Sequence, residues 1–528
     1  MSNIDWYRVA ALKELKASGR KLFRKDGRQI AVFYTQEGVF ACNNRCPHEG
    51  YPLKEGTLDD QCVLTCNWHN WKFNLKTGKN LYGGDRLRIY PTSVRDDEVW
   101  IDLTDPPFET RYAQILSSLH DAFDDNVYDR MGREIARLQL LGGDPLDAVR
   151  EAILWSYQHM EFGWTHAFAG APDWLAFYDE NEGDDETQTV CILEIVAHLA
   201  DDVLRERTYP FTEERRSYDE DAFVAAIEAE DESSAIALVR GGLAESLGFT
   251  DFERGLTRSA LAHYNDFGHS LIYTLKAGRL IERLGEVVEL PLLLSLVRSF
   301  IFATREDMIP EFRRYGHVIG RWGRHSKSTS VNANDYKGLG INKALALTID
   351  SSSTPVNEHY NALLGANAHN LLTYDLYYQE QTTRPIQDNV GWLDFTHGLT
   401  FANAVRVQCS KFPELWPHGL LQLACFSGRN APYINASQNV DRWQVQDADG
   451  FITDTIESMF DHGCEEFIVS VHLVKTTCAV REEISNGIDP QVNATVLAAL
   501  NRFLHEPLKR KHARRTAQQS INFVARDG

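Results

Sequence analysis

Two cysteines and two histidines fall within 24 residues near the N-terminus, as Cys46-Pro-His48 and Cys66-Asn-Trp-His69. The pattern is C-x-H, seventeen residues, then C-x2-H, so each half-site offers one thiolate and one imidazole from a short loop. Such a donor set suits a [2Fe–2S] cluster in which two cysteines hold one iron and two histidines hold the other. Tetrahedral zinc also takes two cysteines and two histidines and is the competing reading. Zinc fingers, however, place cysteine beside cysteine and histidine beside histidine, whereas each half-site here mixes one of each.

A second chemistry is suggested beyond residue 105, where sixteen of the eighteen histidines lie. His159 and Glu161 stand near His166; His263, Asp266 and His269 form another group, and the last two, three apart, would share a helix face. Trp392-Leu-Asp394-Phe-Thr-His397 repeats that acid–histidine spacing, and His472 sits in the apolar stretch Val469–Cys478. Imidazoles and carboxylates on facing helices can build iron sites in helical cores. Each histidine alone also fits a hydrogen-bonded core residue or a surface one. Together they predict a shared metal site drawing on His159, His166, His263, His269, His397 and His472. His269, Asp266, His397 and Asp394 are the candidate catalytic residues, and Glu161, Asp266 and Asp394 would balance charge or orient imidazoles.

Residues 46–56 and 66–73 resemble the two cluster loops of Rieske domains of the ring-hydroxylating-oxygenase and ferredoxin type, and the resemblance covers about residues 5–104. It implies a [2Fe–2S] cluster held by Cys46, His48, Cys66 and His69. In that family a proline-bearing loop covers the cluster, a place that Pro91 would take. Two departures stand out. The glycine usual after the last histidine is Asn70, a residue that tolerates left-handed backbone. The paired cysteines of respiratory-chain Rieske proteins are missing, and Cys42 and Cys62 read as buried free thiols.

About residues 145–490 resemble the questin-oxidase-like family, whose members are helical oxygenating enzymes. The matching pieces are His159 to His166, Phe267 to Ile272, Phe395 to Thr400 and His472 to Lys475. That resemblance implies an O2-using enzyme with His159, His166, His269, His397 and His472 as ligand or catalytic residues. Where the family often has a further histidine, this chain has Tyr273. Asn265-Asp266-Phe-Gly-His269 also resembles a motif of standard Rieske oxygenases, which imply a helix-grip domain with one iron on two histidines and an aspartate. The second histidine of that motif is missing, and the helical tracts disagree with that fold.

These residues need scaffolds. At 528 residues the chain predicts two or three domains. Short Val/Ile/Tyr/Phe runs between Gly and Asp turns predict a small all-β domain over residues 1–104. Asp105-Pro-Pro-Phe108 stops that pattern, and residues 105–528 predict a large all-α domain. A weak repeat, histidine, acid, Phe-Gly, histidine, suggests duplication of 112–210 and 220–325. The fold class is therefore multi-domain, a small all-β Rieske domain followed by a large all-α domain.

Bulk properties narrow the partners. A net charge of −21 argues against nucleic acid and anionic membranes. Nine cysteines, the lack of a signal-like segment and no apolar run long enough to span a bilayer predict a cytoplasmic protein. No nucleotide-binding glycine motif is present, so electrons would come from an external NAD(P)H-dependent reductase or ferredoxin. The expectation is electron flow from the cluster to a non-haem iron that uses O2 to oxidise a small organic substrate. The alternatives are an electron-transfer or redox-sensing protein with a helical scaffold, a standard Rieske oxygenase, and a helical zinc hydrolase or lyase.

Overall fold

The computed structural model describes residues 6–526 except 325 and 329, so the first five residues of the expected β domain lie outside the described residues. The chain forms two compact units that divide at Ala148/Val149.

Among its described residues the first unit has a short helix, α1 (Leu12–Ser18), and eleven strands: β1 (Trp6–Ala11), β2 (Arg20–Lys25), β3 (Arg28–Thr35), β4 (Gly38–Asn43), β5 (Thr57–Leu58), β6 (Val63–Thr65), β7 (Lys72–Asn74), β8 (Asn80–Tyr82), β9 (Ile89–Tyr90), β10 (Thr92–Arg95) and β11 (Glu98–Asp102). They form three antiparallel sheets, ordered β1-β11-β10, β2-β3-β4-β9 and β5-β6-β7-β8. The continuous apolar run Ile30-Ala-Val-Phe33 in β3 has a simple cause. Successive side chains point to opposite faces. Ala31 and Phe33 join a core that holds Cys42, Cys46, Cys62 and Cys66, while Ile30 and Val32 join Val9, Val99 and Ile101 on the other side. All four cysteines are buried and free, as expected for Cys42 and Cys62.

The domain boundary expected at 104/105 moves. Prolines 106 and 107 do end the strands, but α2 (Phe108–Asp124) and α3 (Tyr128–Leu141) remain in the first unit. The reason is electrostatic and invisible in local sequence. Asp85, fully buried after β8, accepts from Arg133 at 2.7 Å and Arg137 at 3.1 Å, with Arg130 at 3.4 Å, all on α3. Removing one partner from such a buried set strands the other charges. Asp85→Ala is expected to destabilise this unit by about 3–5 kcal/mol, read by denaturant unfolding monitored through the cluster's visible absorbance.

The second unit is built of helices; among the described residues its only β pairing is an isolated bridge between Tyr374 and Ile434. The helix-grip alternative is thereby set aside, because that architecture needs a sheet. Four helices carry the candidate histidines His166, His269, His397 and His472: residues 166–180, 269–284, 392–411 and 467–485. Each packs against two of the others, closing a four-helix ring. Within the stretches 112–210 and 220–325 of the expected duplication lie two helix–loop–helix segments, 146–180 and 249–284. In each segment the second helix begins on a histidine, His166 or His269.

Glu286–Met308 is long and apolar enough by composition to cross a bilayer, yet 61% of its apolar window is buried inside the protein, as for a core helix.

Candidate metal centres

The two N-terminal loops share one backbone design. Cys46 N–H donates to the Tyr51 carbonyl at 2.9 Å and Gly50 N–H to the Cys46 carbonyl at 2.8 Å. Cys66 N–H donates to the Trp71 carbonyl at 2.8 Å and Asn70 N–H to the Cys66 carbonyl at 2.9 Å. Both loops turn through a left-handed residue, Gly50 at φ +79° and Asn70 at φ +62°. Asn70 thus does the work of the expected glycine. The first loop joins β4 to β5 and the second joins β6 to β7, so both are held on hydrogen-bonded strands.

The donors converge. His48 Nδ1 and His69 Nδ1 lie 3.2 Å apart. Two nitrogens on one metal at bond lengths near 2.1 Å sit roughly 3.0–3.4 Å apart, so this spacing fits shared coordination. The Cys46 and Cys66 thiols adjoin each other in the apolar core, where burial pushes Cys46 up to about 11. A bound metal is what would hold such a buried sulfur as thiolate. Trp71 stacks on His48 at 4.5 Å and Trp68 on His69 at 4.9 Å. The cysteine side is sealed, whereas the His48 and His69 side chains keep 28% and 37% exposure. Electrons therefore have a short way out through the imidazole edges. A cavity of about 450 Å3 beside His48 is lined by Arg45, Arg86, Arg88 and Arg137 with Glu49. The segment closing on the cluster loops is Arg86–Arg88, with Leu87 buried in the same core as the cysteines, whereas Pro91 is exposed beyond β9.

In the helical unit four imidazoles meet. His269 Nε2 and His397 Nε2 are 3.1 Å apart, and His472 Nε2 lies 3.3 Å from His397 Nε2. His166 completes the group with ring centroids 4.7 Å from His472 and 5.0 Å from His269. One donor nitrogen from each of His166, His269 and His397 lies within 4.8 Å of the others. The Nε2 spacings again fall in the range that two ligands on one metal require. His472 Nδ1–H donates to the Ile468 carbonyl at 2.7 Å, which leaves the Nε2 lone pair facing the centre. His166 Nε2 is buried and has no hydrogen-bond partner among the described residues. Burial, reinforced by Lys475 and by neighbouring imidazoles, holds His166, His397 and His472 well below the ordinary histidine range. They stay neutral, the form that binds metal.

Local backbone explains the positions of these rings. Asp266, Phe267 and Gly268 take three consecutive left-handed conformations, at φ +43°, +50° and +77°. Such strain is costly in non-glycine residues and gathers at functional sites. A Cβ at Gly268 would lie 2.4 Å from the Phe401 ring, so glycine permits the start of the His269 helix to reach the His397 helix. Asp266 Oδ2 lies 3.5 Å from His269 Nδ1. Burial raises this carboxyl, but the His269 ring and the Thr304 hydroxyl outweigh it and hold Asp266 below its usual value. An acid behind a ligating imidazole orients the ring.

Four expected site residues lie elsewhere: His159, Glu161, His263 and Asp394. His159 Nδ1 lies 3.1 Å from the Glu206 carbonyl, and Glu161 beside it is exposed. His263 sits between Glu228 at 3.2 Å and Asp307 at 3.5 Å. Both histidines have their partners here rather than at the imidazole group. Asp394, despite its spacing to His397, caps its own helix by accepting from Gly391 N–H at 2.8 Å and pairs with Arg429 at 2.6 Å. Arg429 in turn covers the Phe267 ring, so Asp394 supports the left-handed turn from behind. Sequence reasoning passed over Lys475; a lysine three residues after His472 in an apolar helix was the available signal.

Comparison with known proteins concerns the first unit. Residues 5–86 match the Rieske [2Fe-2S] domain family. The 3-phenylpropionate/cinnamic acid dioxygenase ferredoxin subunit of Photorhabdus laumondii is 35% identical over 78 residues, 14% of this chain and 74% of that protein. The subunit of the same name from Shigella boydii is 38% identical over 76 residues, 14% of this chain and 72% of that protein. Among solved structures, the ferredoxin of carbazole 1,9a-dioxygenase from Nocardioides aromaticivorans IC177 is 27% identical over 18% of this chain and 95% of that one, with a TM-score of 0.18.

Proposed function

The chain belongs, through residues 5–86, to the Rieske [2Fe–2S] family, and from that premise we propose that its N-terminal cluster delivers electrons to a non-haem iron held by the helical unit. The first unit carries electrons; the helical centre and its use of O2 are our reading. The observation that carries it is the convergence of the Nε2 atoms of His269, His397 and His472, at 3.1 and 3.3 Å.

The cluster would supply single electrons, and the iron would supply open positions for binding and reducing O2. The protein does the rest. Cys46 and Cys66 would hold the inner iron of the cluster, and His48 and His69 the outer one. His269, His397 and His472, with His166, would hold the helical iron. The Ile468 carbonyl fixes the His472 tautomer, and Asp266 orients His269. His472 and His397 are closed off, whereas the His269 side chain keeps 12% exposure, so O2 and a small organic substrate would enter from the His269 side. Electrons would come from an external NAD(P)H-dependent reductase or ferredoxin. The arginines beside His48 suit an acidic docking face on that partner.

Metal analysis of anaerobically purified protein tests this directly. More than two irons per chain is the expected result. Two irons and no further metal would make the chain an electron carrier with a helical scaffold, and two irons with zinc would point to hydrolytic chemistry.

A further inference from the structure

The first unit holds a second cavity, larger than the one beside His48. It measures about 1050 Å3 and lies wholly within that unit, between the β4 and β9 strands on one side and α2 and α3 on the other. Phe40, Ile89 and Pro91 contribute to the strand wall, and Ile115 and Leu140 to the helix wall. Leu140 is 86% exposed. A large apolar side chain left in water on the rim of an apolar hollow marks a surface that a ligand covers. The volume stands at the top of the range for small-molecule sites, roughly 300–1,000 Å3, and suits one organic molecule. A protein partner would need instead about 800 Å2 of surface on each side.

Most cations around this cavity are matched by the chain itself. Lys76 pairs with Glu37 at 2.5 Å, Arg88 with Asp105 at 2.5 Å, and Arg137 with Glu134 and Asp85. Arg111, near the start of α2, is the exception on the helix wall. It is half-buried, and its backbone N–H donates to the Pro107 carbonyl at 3.1 Å. Among the described residues its guanidinium has no carboxylate and no other partner. Arg86, on the exposed rim, donates to the Thr77 carbonyl at 3.3 Å and likewise has no carboxylate among them. The cavity therefore combines apolar walls with guanidinium charge to spare.

We propose that this cavity binds a small organic carboxylate, with its apolar body between β9 and the α2–α3 pair and its carboxylate taken by Arg111. A guanidinium offers two parallel N–H donors that match the two oxygens of a carboxylate. The segment Arg86–Arg88 lines this cavity as well as the one beside His48, and Leu87 is buried in the cysteine core. A ligand here rests on the segment that closes on the cluster loops. The site belongs to the first unit alone and does not depend on what the helical centre holds.

The test uses full-length, cluster-loaded protein, with 2-naphthoate as the probe and 2-naphthamide as its neutral counterpart. Both are titrated by calorimetry and by the visible circular dichroism of the cluster. The expected result is that 2-naphthoate binds the wild type and changes the dichroism, whereas 2-naphthamide binds more weakly by about tenfold or more. Arg111→Met should lose about tenfold or more in affinity for 2-naphthoate and nothing for the amide. Arg111→Lys, which keeps the charge without the fork, should recover part of the loss. Ser118→Trp, which puts an indole into the cavity from α2, should abolish binding. Unchanged visible absorbance shows that a variant has folded, and Arg111→Gln serves if the methionine variant has not. Three results would each overturn the assignment: no binding of 2-naphthoate, affinity kept within twofold in either Arg111→Met or Ser118→Trp, or binding that leaves the dichroism unaltered. A carboxylate captured by the helical centre would give the second of these.

Discussion

His397→Ala is expected to empty the helical centre while leaving the N-terminal cluster whole. His397 is the ring that both other close partners face, with His269 at 3.1 Å on one side and His472 at 3.3 Å on the other. Alanine removes the shared donor, and His166, His269 and His472 are left too few and too far apart to hold the metal alone. Iron should fall to two per chain, with the visible spectrum unchanged. Oxygen uptake driven by a reductase should drop by well over about 100-fold, since even outer partners of metal ligands are worth about 10- to 100-fold. Asp266→Asn calibrates the scale: it keeps the shape behind His269, weakens orientation only, and should fall within that smaller range. A His397→Ala protein that keeps its third iron and its oxygen uptake would end the proposed centre.

Cys66→Ser should do the reverse. Serine is a poor substitute for a thiolate in a cluster that relies on two of them. The variant is expected to lose its visible absorbance and two irons per chain, and with them all reductase-driven oxygen uptake. The iron of the helical unit should remain. When that iron is reduced chemically, the variant should still complete a single round of oxygen consumption, because only the supply of further electrons has been cut. If Cys66→Ser keeps multiple turnover with the reductase, the cluster is not the route by which electrons arrive.

The two centres were legible to different degrees, for physical reasons. A Rieske loop is local: its ligands lie two and three residues apart, so C-x-H and C-x2-H carried the whole assignment. The left-handed role of Asn70 was legible for the same reason, and the structure gives it φ +62°. The helical centre is assembled from four helices spread over more than 300 residues. Sequence could nominate His166, His269, His397 and His472 but could not separate them from His159 and His263. What separates them is tertiary. Glu228 and Asp307 claim His263, the Glu206 carbonyl faces His159, and Arg429 claims Asp394. An i, i+3 acid–histidine spacing therefore meant an orienting acid at Asp266 but a helix cap at Asp394. The unit boundary failed likewise, since Asp85 finds its arginines about fifty residues downstream on α3. Alternating and continuous apolar runs, by contrast, gave fold class correctly, because burial on one or both faces is written directly into residue order.

The arginine-lined rim beside His48 has a kinetic meaning. The whole molecule carries a net charge of −21, so an acidic redox partner would be repelled from afar and drawn in locally by these arginines. Misoriented collisions are thus discouraged by the same field that guides productive ones. Added salt should act in two phases, first speeding encounter by screening the global repulsion and then slowing it as the local attraction fades. A bell-shaped dependence of electron-delivery rate on ionic strength would be the signature of a protein that sorts its visitors by angle of approach.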